Sequence, residues 1–155
     1  MHYTAYLAGE IHTTWRTELA QEVAVASLPV SFLGPVTDHE ASDDTGAEIL
    51  GAETDPFWHD RKGAGLNALR TRTMLAQADL AIVRFGDKYR QWNAAFDAGM
   101  AVAMKKPLLV IHPPELQHAL KEIDAAACAV AENIQQVVKI LGYMARQEAW
   151  TSTTT

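Results

Sequence analysis

Apolar positions along the chain follow two rhythms, and the switches between them divide it into elements. "HYTAYLAG" (residues 2–9) has the β-branched and aromatic residues of a strand and stops at a glycine, after which Trp15, Leu19 and Val23 recur at every fourth position as one helix face. "LPVSFLGP" is a second strand bounded by proline and glycine. "LNALRTRTMLAQA" is a helix with Leu66, Leu69 and Leu75 spaced for burial, and "DLAIVRF" is a third strand. A helix from about Trp92 to Met104 precedes "KPLLVIHPP", a strand between prolines, and "PELQHALKEID" reads as one short helix. "ACAVA" is a weak fifth strand, and "ENIQQVVKILGYMARQEA" is a final amphipathic helix with Ile134, Val137, Val138 and Leu141 inward. The acidic residues 36–62 show neither rhythm and read as a long loop, of the functional or mobile kind. Asp43 and Asp44 are then a solvated run, or caps for a helix over "GAEILG".

Strands alternating with helices imply right-handed crossovers, so the expected fold is α/β: a single flavodoxin-like three-layer domain over residues 1–148, with a five-stranded parallel sheet in the order 2-1-3-4-5. The remaining residues, 149–155, end in "TSTTT" and are expected to be disordered. In such sheets ligands bind beyond the carboxyl ends of the strands, where the first and third diverge. The loops reaching that point are "GEIHTTW" after strand one and "GDKYRQWN", opening at Gly86, after strand three.

Composition narrows the function. With 155 residues, 48% of them hydrophobic and 21% charged, the chain is an ordinary globular domain. Its net charge of −6 leaves no basic stripe for nucleic acid polymers or anionic membranes. No apolar run approaches the roughly 20 residues of a membrane span, and "MHYTAYLAGEI" is not a signal peptide, so a cytoplasmic location is expected. The one cysteine, Cys128 in "AAACAV", excludes an internal disulfide and reads as a buried thiol. Six histidines form no HxH or HExxH pair, "GAG" at 63–65 does not directly follow a strand, and there is no phosphate-loop lysine motif or GxSxG elbow. No metal and no cofactor are expected.

What remains is a pair of carboxylates from distant parts of the sequence. Asn93 and Asp97, four apart, share a helix face near the helix's positive end, which favours an ionised Asp97 at neutral pH. Glu10 follows the glycine that closes strand one, and Trp15, Tyr89 and Trp92 lie close by in sequence, with Phe57 and Trp58 in the acidic stretch. Structural alternatives stand beside each: Asp97 as a dipole or capping residue, Glu10 as an ion-pair partner of Arg16, the tryptophans as packing.

"YLAGEI", "ADLAIVRFG" and "NAAFDAGMAVAMKKPLLVI" together resemble the nucleoside 2-deoxyribosyltransferase superfamily, and "AGEIH" and "QWNAAFDA" are similar to its YtoQ family over nearly the whole chain. The resemblance implies a flavodoxin-like fold, a homo-oligomer with shared active sites, and a nucleoside- or nucleotide-like ligand. It places Asp97 at the position of the helix-borne glutamate nucleophile of a "GTAxELGxA" pattern and Gly99 at its glycine, with Tyr6 and Gly9 in the "YLAGP" opening. Here the nucleophile is one methylene shorter, Glu10 replaces the proline of that opening, and the base-contacting aspartate before the helix has its counterpart near Gln91. The leading expectation is an N-glycosidic-bond enzyme, transferase or hydrolase, with Asp97 and Glu10 catalytic and Tyr6, Gly9, Trp15, Gly86, Tyr89, Gln91, Trp92 and Asn93 binding substrate. The alternatives are a non-catalytic binding module on the same scaffold, and an unrelated hydrolase chemistry in which the two carboxylates use water.

Overall fold

A computed structural model describes residues 1–37, 39–86 and 91–146. Its sheet is parallel throughout, in the order β2-β1-β3-β4-β5, built from β1 (Tyr3–Gly9), β2 (Val30–Leu33), β3 (Leu80–Arg84), β4 (Leu108–Ile111) and β5 (Ala129–Ala131). Each ladder is in register over its short length, with Ala5 opposite Leu80 and Gly9 opposite Arg84. Successive side chains of a strand point to opposite faces. One layer therefore gathers Ala5, Leu7, Ile82, Leu109 and Ile111 under α1 (Trp15–Val25) and α6 (Ile134–Ala145). The other gathers Tyr6, Ala8, Ala81, Val83 and Val110 under α4 (Trp92–Ala103) and the end of α3 (Pro56–Gln77). Near-continuous apolar runs such as "LLVI", buried at all four positions, are what a strand covered on both faces requires.

The approach of α4 to the sheet sets up the site. Its inner face is Ala94, Ala98 and Ala101, each almost fully buried, so the helix lies close over β1 and β3. That small face leaves the larger residues Trp92 and Phe96 in solvent, 73% and 63% exposed.

Residues 36–62 are not a long loop. They hold α2 (His39–Leu50) and the start of α3, which is 22 residues long and begins ten residues before the expected Leu66. Local chemistry starts that helix at Asp55-Pro56: the Asp55 carboxylate accepts from Phe57 N–H at 2.9 Å, and proline occupies the first turn, where its missing N–H costs nothing. The glycines that looked like breakers serve contact instead. A Cβ on Gly46 would lie 2.3 Å from the backbone N of Gly63, so α2 and α3 cross nearly backbone to backbone. Lys62, paired with Glu53 at 3.3 Å and donating to Gly51 O, ties the turn between them.

Two smaller expectations also change. "PELQHALKEID" divides into a 3₁₀ turn (Pro114–Leu116) and α5 (Lys121–Ala126), because the Pro113-Pro114 start supports only a tight turn. The buried His112, whose Nε2 lies 3.0 Å from the Asp124 carboxylate, pins α5 to the end of β4. Cys128 is exposed rather than buried, since it enters β5, a three-residue edge strand. No helix among the described residues is long and apolar enough to cross a membrane.

Candidate active site

At the carboxyl ends of β1 and β3 the chain must leave the sheet in opposite directions, and the first turn is made by Gly9. Its φ of +103° suits glycine, and a Cβ there would sit 2.0 Å from Arg84 O. The close approach lets Glu10 N–H donate to that same carbonyl at 3.0 Å, which holds the two strand ends together. Glu10 then turns inward and is 4% exposed. Its carboxylate accepts from His12 N–H and from the Thr13 hydroxyl, closing a tight local loop. Trp15 Nε1 and Arg16 Nη1 both donate to Glu10 O, at 2.8 and 2.6 Å, and Arg16 Nη2 donates to Gly9 O. The Arg16 guanidinium also lies over the Trp15 ring, 4.6 Å from its centre.

Arg16 therefore holds the turn through backbone carbonyls, with the Glu10 carboxylate engaged by other donors. The guanidinium remains a buried positive charge whose burial pulls its pKa down, with Glu10, Tyr6 and Asp97 opposing that shift.

Beside this turn opens a cavity of about 850 Å³. The β1 turn supplies Gly9 and Glu10, α4 supplies Trp92, Asn93 and Asp97 with Gln91 at its N-cap, and α3 forms the facing wall through Gly63, Asn67, Arg70 and Thr71. Asn67 is held from behind by hydrogen bonds to Ser42 O and Oγ, so α2 braces the wall. Gln91 accepts from Gly86 N–H at 3.0 Å and thereby connects the end of β3 to the start of α4.

Asp97 occupies the border between the buried alanine face of α4 and the cavity. Burial raises its pKa from 3.8 to about 6, with the Arg16 charge acting in the opposite direction. It is thus mostly ionised at neutral pH, through a balance of burial and guanidinium rather than through the helix's positive end. No described residue donates a hydrogen bond or ion pair to it, which separates it from a capping residue.

The residues picked out from the sequence divide accordingly. Gly9, Glu10, Gln91, Trp92, Asn93 and Asp97 share the cavity wall. Tyr6 lies behind it, fully buried, with its hydroxyl 3.3 Å from Thr71 Oγ1 and its pKa raised mainly by burial. Trp15 is fully buried in the opposite layer and packs there. Gly86 lines a neighbouring cavity of about 790 Å³ over β3 and β4, and Tyr89 falls outside the described residues. The α3 wall was missed by the sequence reading: Asn67, Arg70 and Thr71 fell in a segment correctly read as helix, but only its leucines were considered, and the turns before Leu66 were not read as helix. The spacing Gly63, Asn67, Arg70, Thr71, one helical face opening after Asp55-Pro56, was the available signal.

A parallel sheet in the order β2-β1-β3-β4-β5, with a cavity at its strand-order reversal lined by a carboxylate that has no partner among the described residues, is a fold of the flavodoxin-like class. The family model for nucleoside 2-deoxyribosyltransferase YtoQ matches residues 6–145, and the chain belongs to that family. It is 40% identical over 148 residues to YtoQ of Bacillus subtilis strain 168, covering 96% of this chain and all of the relative. Among solved structures, a 2-deoxyribosyltransferase from Bacillus psychrosaccharolyticus superposes with a TM-score of 0.53 at 16% identity, over 87% of this chain and 90% of its own. A conserved protein from Enterococcus faecalis V583 gives a TM-score of 0.64 at 13% identity, over 93% and 99%. Both likenesses are of fold.

Proposed function

We propose that this chain breaks N-glycosidic bonds of nucleoside-like compounds, with Asp97 as the nucleophile. The observation that carries the reading is the Asp97 carboxylate itself: half-buried, without a described partner, and facing a cavity large enough for a nucleoside. A structural carboxylate is expected to be satisfied, and a nucleophile must be available. In the reaction one Asp97 oxygen attacks the anomeric carbon as the carbon–nitrogen bond opens, through an oxocarbenium-like transition state. The bonding pair leaves on the base nitrogen, which takes up a proton from water. Water or a second base then displaces the carboxylate and restores Asp97. Asn93 and Gln91 are placed to hold the sugar or base, and Trp92 to cover it.

Glu10 has a different part in this reading. Both of its oxygens accept from donors within its own turn, so it shapes the β1 loop and adds negative charge at the cavity, rather than serving as a free acid. That occupied carboxylate also favours the second reading, a module that binds the same ligands without turnover.

Asp97→Asn separates the two. For the enzyme, release of free base from 2′-deoxynucleosides should fall by roughly three orders of magnitude or more, with ligand binding by calorimetry retained. Base release unchanged in the folded variant would refute the nucleophile assignment. Binding by the wild-type protein with no release or exchange across a panel of nucleosides would establish the module.

A further inference from the structure

We infer that the ligand carries a phosphomonoester at the sugar's 5′ end, bound by Arg70; this rests on the nucleoside reading of the same cavity. Arg70 projects from α3 on the wall facing α4, and among the described residues lining the cavity it is the sole arginine or lysine. Its helical neighbours at three and four positions, Leu66, Asn67, Thr73 and Met74, include no acid, so the helix itself offers no ion pair. No described residue makes an ion pair or hydrogen bond with it.

The acids lining the same cavity, Glu10, Asp60 and Asp97, give it a negative field that would repel an anionic ligand unless a cation met its charge directly. Tyr6 locates that cation. Its strand, β1, is in contact with both α4, which carries Asp97, and α3, which carries Arg70, and its phenol is hydrogen-bonded to Thr71 of α3. A sugar with its anomeric carbon at Asp97 and its 5′ carbon toward the α3 wall would bring a 5′-phosphate to Arg70. Thr71, the residue after Arg70, adds a hydroxyl there. Arg70 is exposed, so the phosphate would sit at the cavity mouth and remain partly hydrated. A guanidinium suits that position because its planar donors engage a phosphate bidentately.

The test compares dissociation constants for 2′-deoxynucleosides and their 5′-monophosphates in the full-length protein carrying Asp97→Asn, which removes turnover from the readout. Preference for the monophosphate should be at least about tenfold and should collapse toward unity when Arg70→Met is added, with Arg70→Lys retaining part of it. Preference should also weaken with added salt. Equal affinity for both forms, a preference that survives Arg70→Met, or no binding of either form would overturn the inference. Failure of the function reading looks different: phosphate-dependent binding would persist while the wild-type protein released no base. Competition by inorganic phosphate alone, with no contribution from the nucleoside, would reduce Arg70 to a general anion contact and count against the proposal.

Discussion

Asp97 sits where burial and a guanidinium act on the same proton in opposite senses, and the outcome, a pKa of about 6, has a consequence for stability. A carboxyl whose folded pKa lies above its unfolded value binds its proton more tightly in the native state. Stability is therefore fully favoured below pH 4 by this group and falls as pH rises from about 4 to about 6. Above that range the fold carries the cost of a buried charge. Asp97→Asn should consequently stabilise the protein at pH 7.5, by on the order of 1 kcal/mol, or about 2–4 °C in Tm. The gain should vanish below pH 4. Melting curves of both proteins at the two pH values check this, and a Tm lowered at neutral pH would identify a structural group instead. Gain in stability with loss of turnover is the pattern expected of a residue kept for chemistry.

The elements divide into those the apolar rhythm could reveal and those it could not. The strands were legible because two-sided burial leaves runs such as "LAIVR" and "LLVI", and α1, α4 and α6 because their inward residues recur at helical spacing, whereas the strand order came only from the habit of flavodoxin-like folds. The helix α2 and the first half of α3 were not, since their packing rests on glycine and asparagine, residues that carry no hydrophobic signal. The site followed the same division. Asp97, Asn93, Glu10 and Gly9 could be placed from strand ends and one helix, but the α3 wall could not, and Trp15 and Tyr6 turned out to be buried behind the surface they were expected to form. The alanine face of α4 permits a direct test of positioning. Ala98→Leu should cost about 1–3 kcal/mol by overpacking against the sheet. It should also reduce activity more than its stability loss explains, because it displaces Asp97. Val102→Ala, on the outer face, should stay within about 0.5 kcal/mol. Urea titrations with activity assays on the same samples decide it, and normal activity in a destabilised Ala98→Leu protein would disconnect helix placement from the site.

At the scale of the whole molecule, large apolar side chains stand exposed on α3 and α4, Trp92 and Phe96 of them at the cavity. Phe57 and Trp58, in edge-to-face contact at 5.1 Å, are 65% and 52% exposed at the start of α3, and Trp92 and Phe96 are exposed on α4. Exposed apolar groups of this size suit association. We propose that the chain forms a homo-oligomer through these surfaces; light scattering at micromolar concentration should give a mass above that of the monomer, lowered by Trp92→Glu with Phe96→Glu. A wild-type mass equal to the 17.0 kDa of one chain would exclude it. The covalent role of Asp97 is open to a more direct measurement, intact-protein mass spectrometry after incubation with 2′-fluoro-2′-deoxynucleosides, and with their 5′-monophosphates, whose glycosyl-enzyme esters hydrolyse slowly. The account predicts a mass increase equal to one sugar, or sugar phosphate, mapped by peptide analysis to Asp97 and absent from Asp97→Asn. Base release with an adduct on a different residue, or an identical adduct on Asp97→Asn, would contradict it.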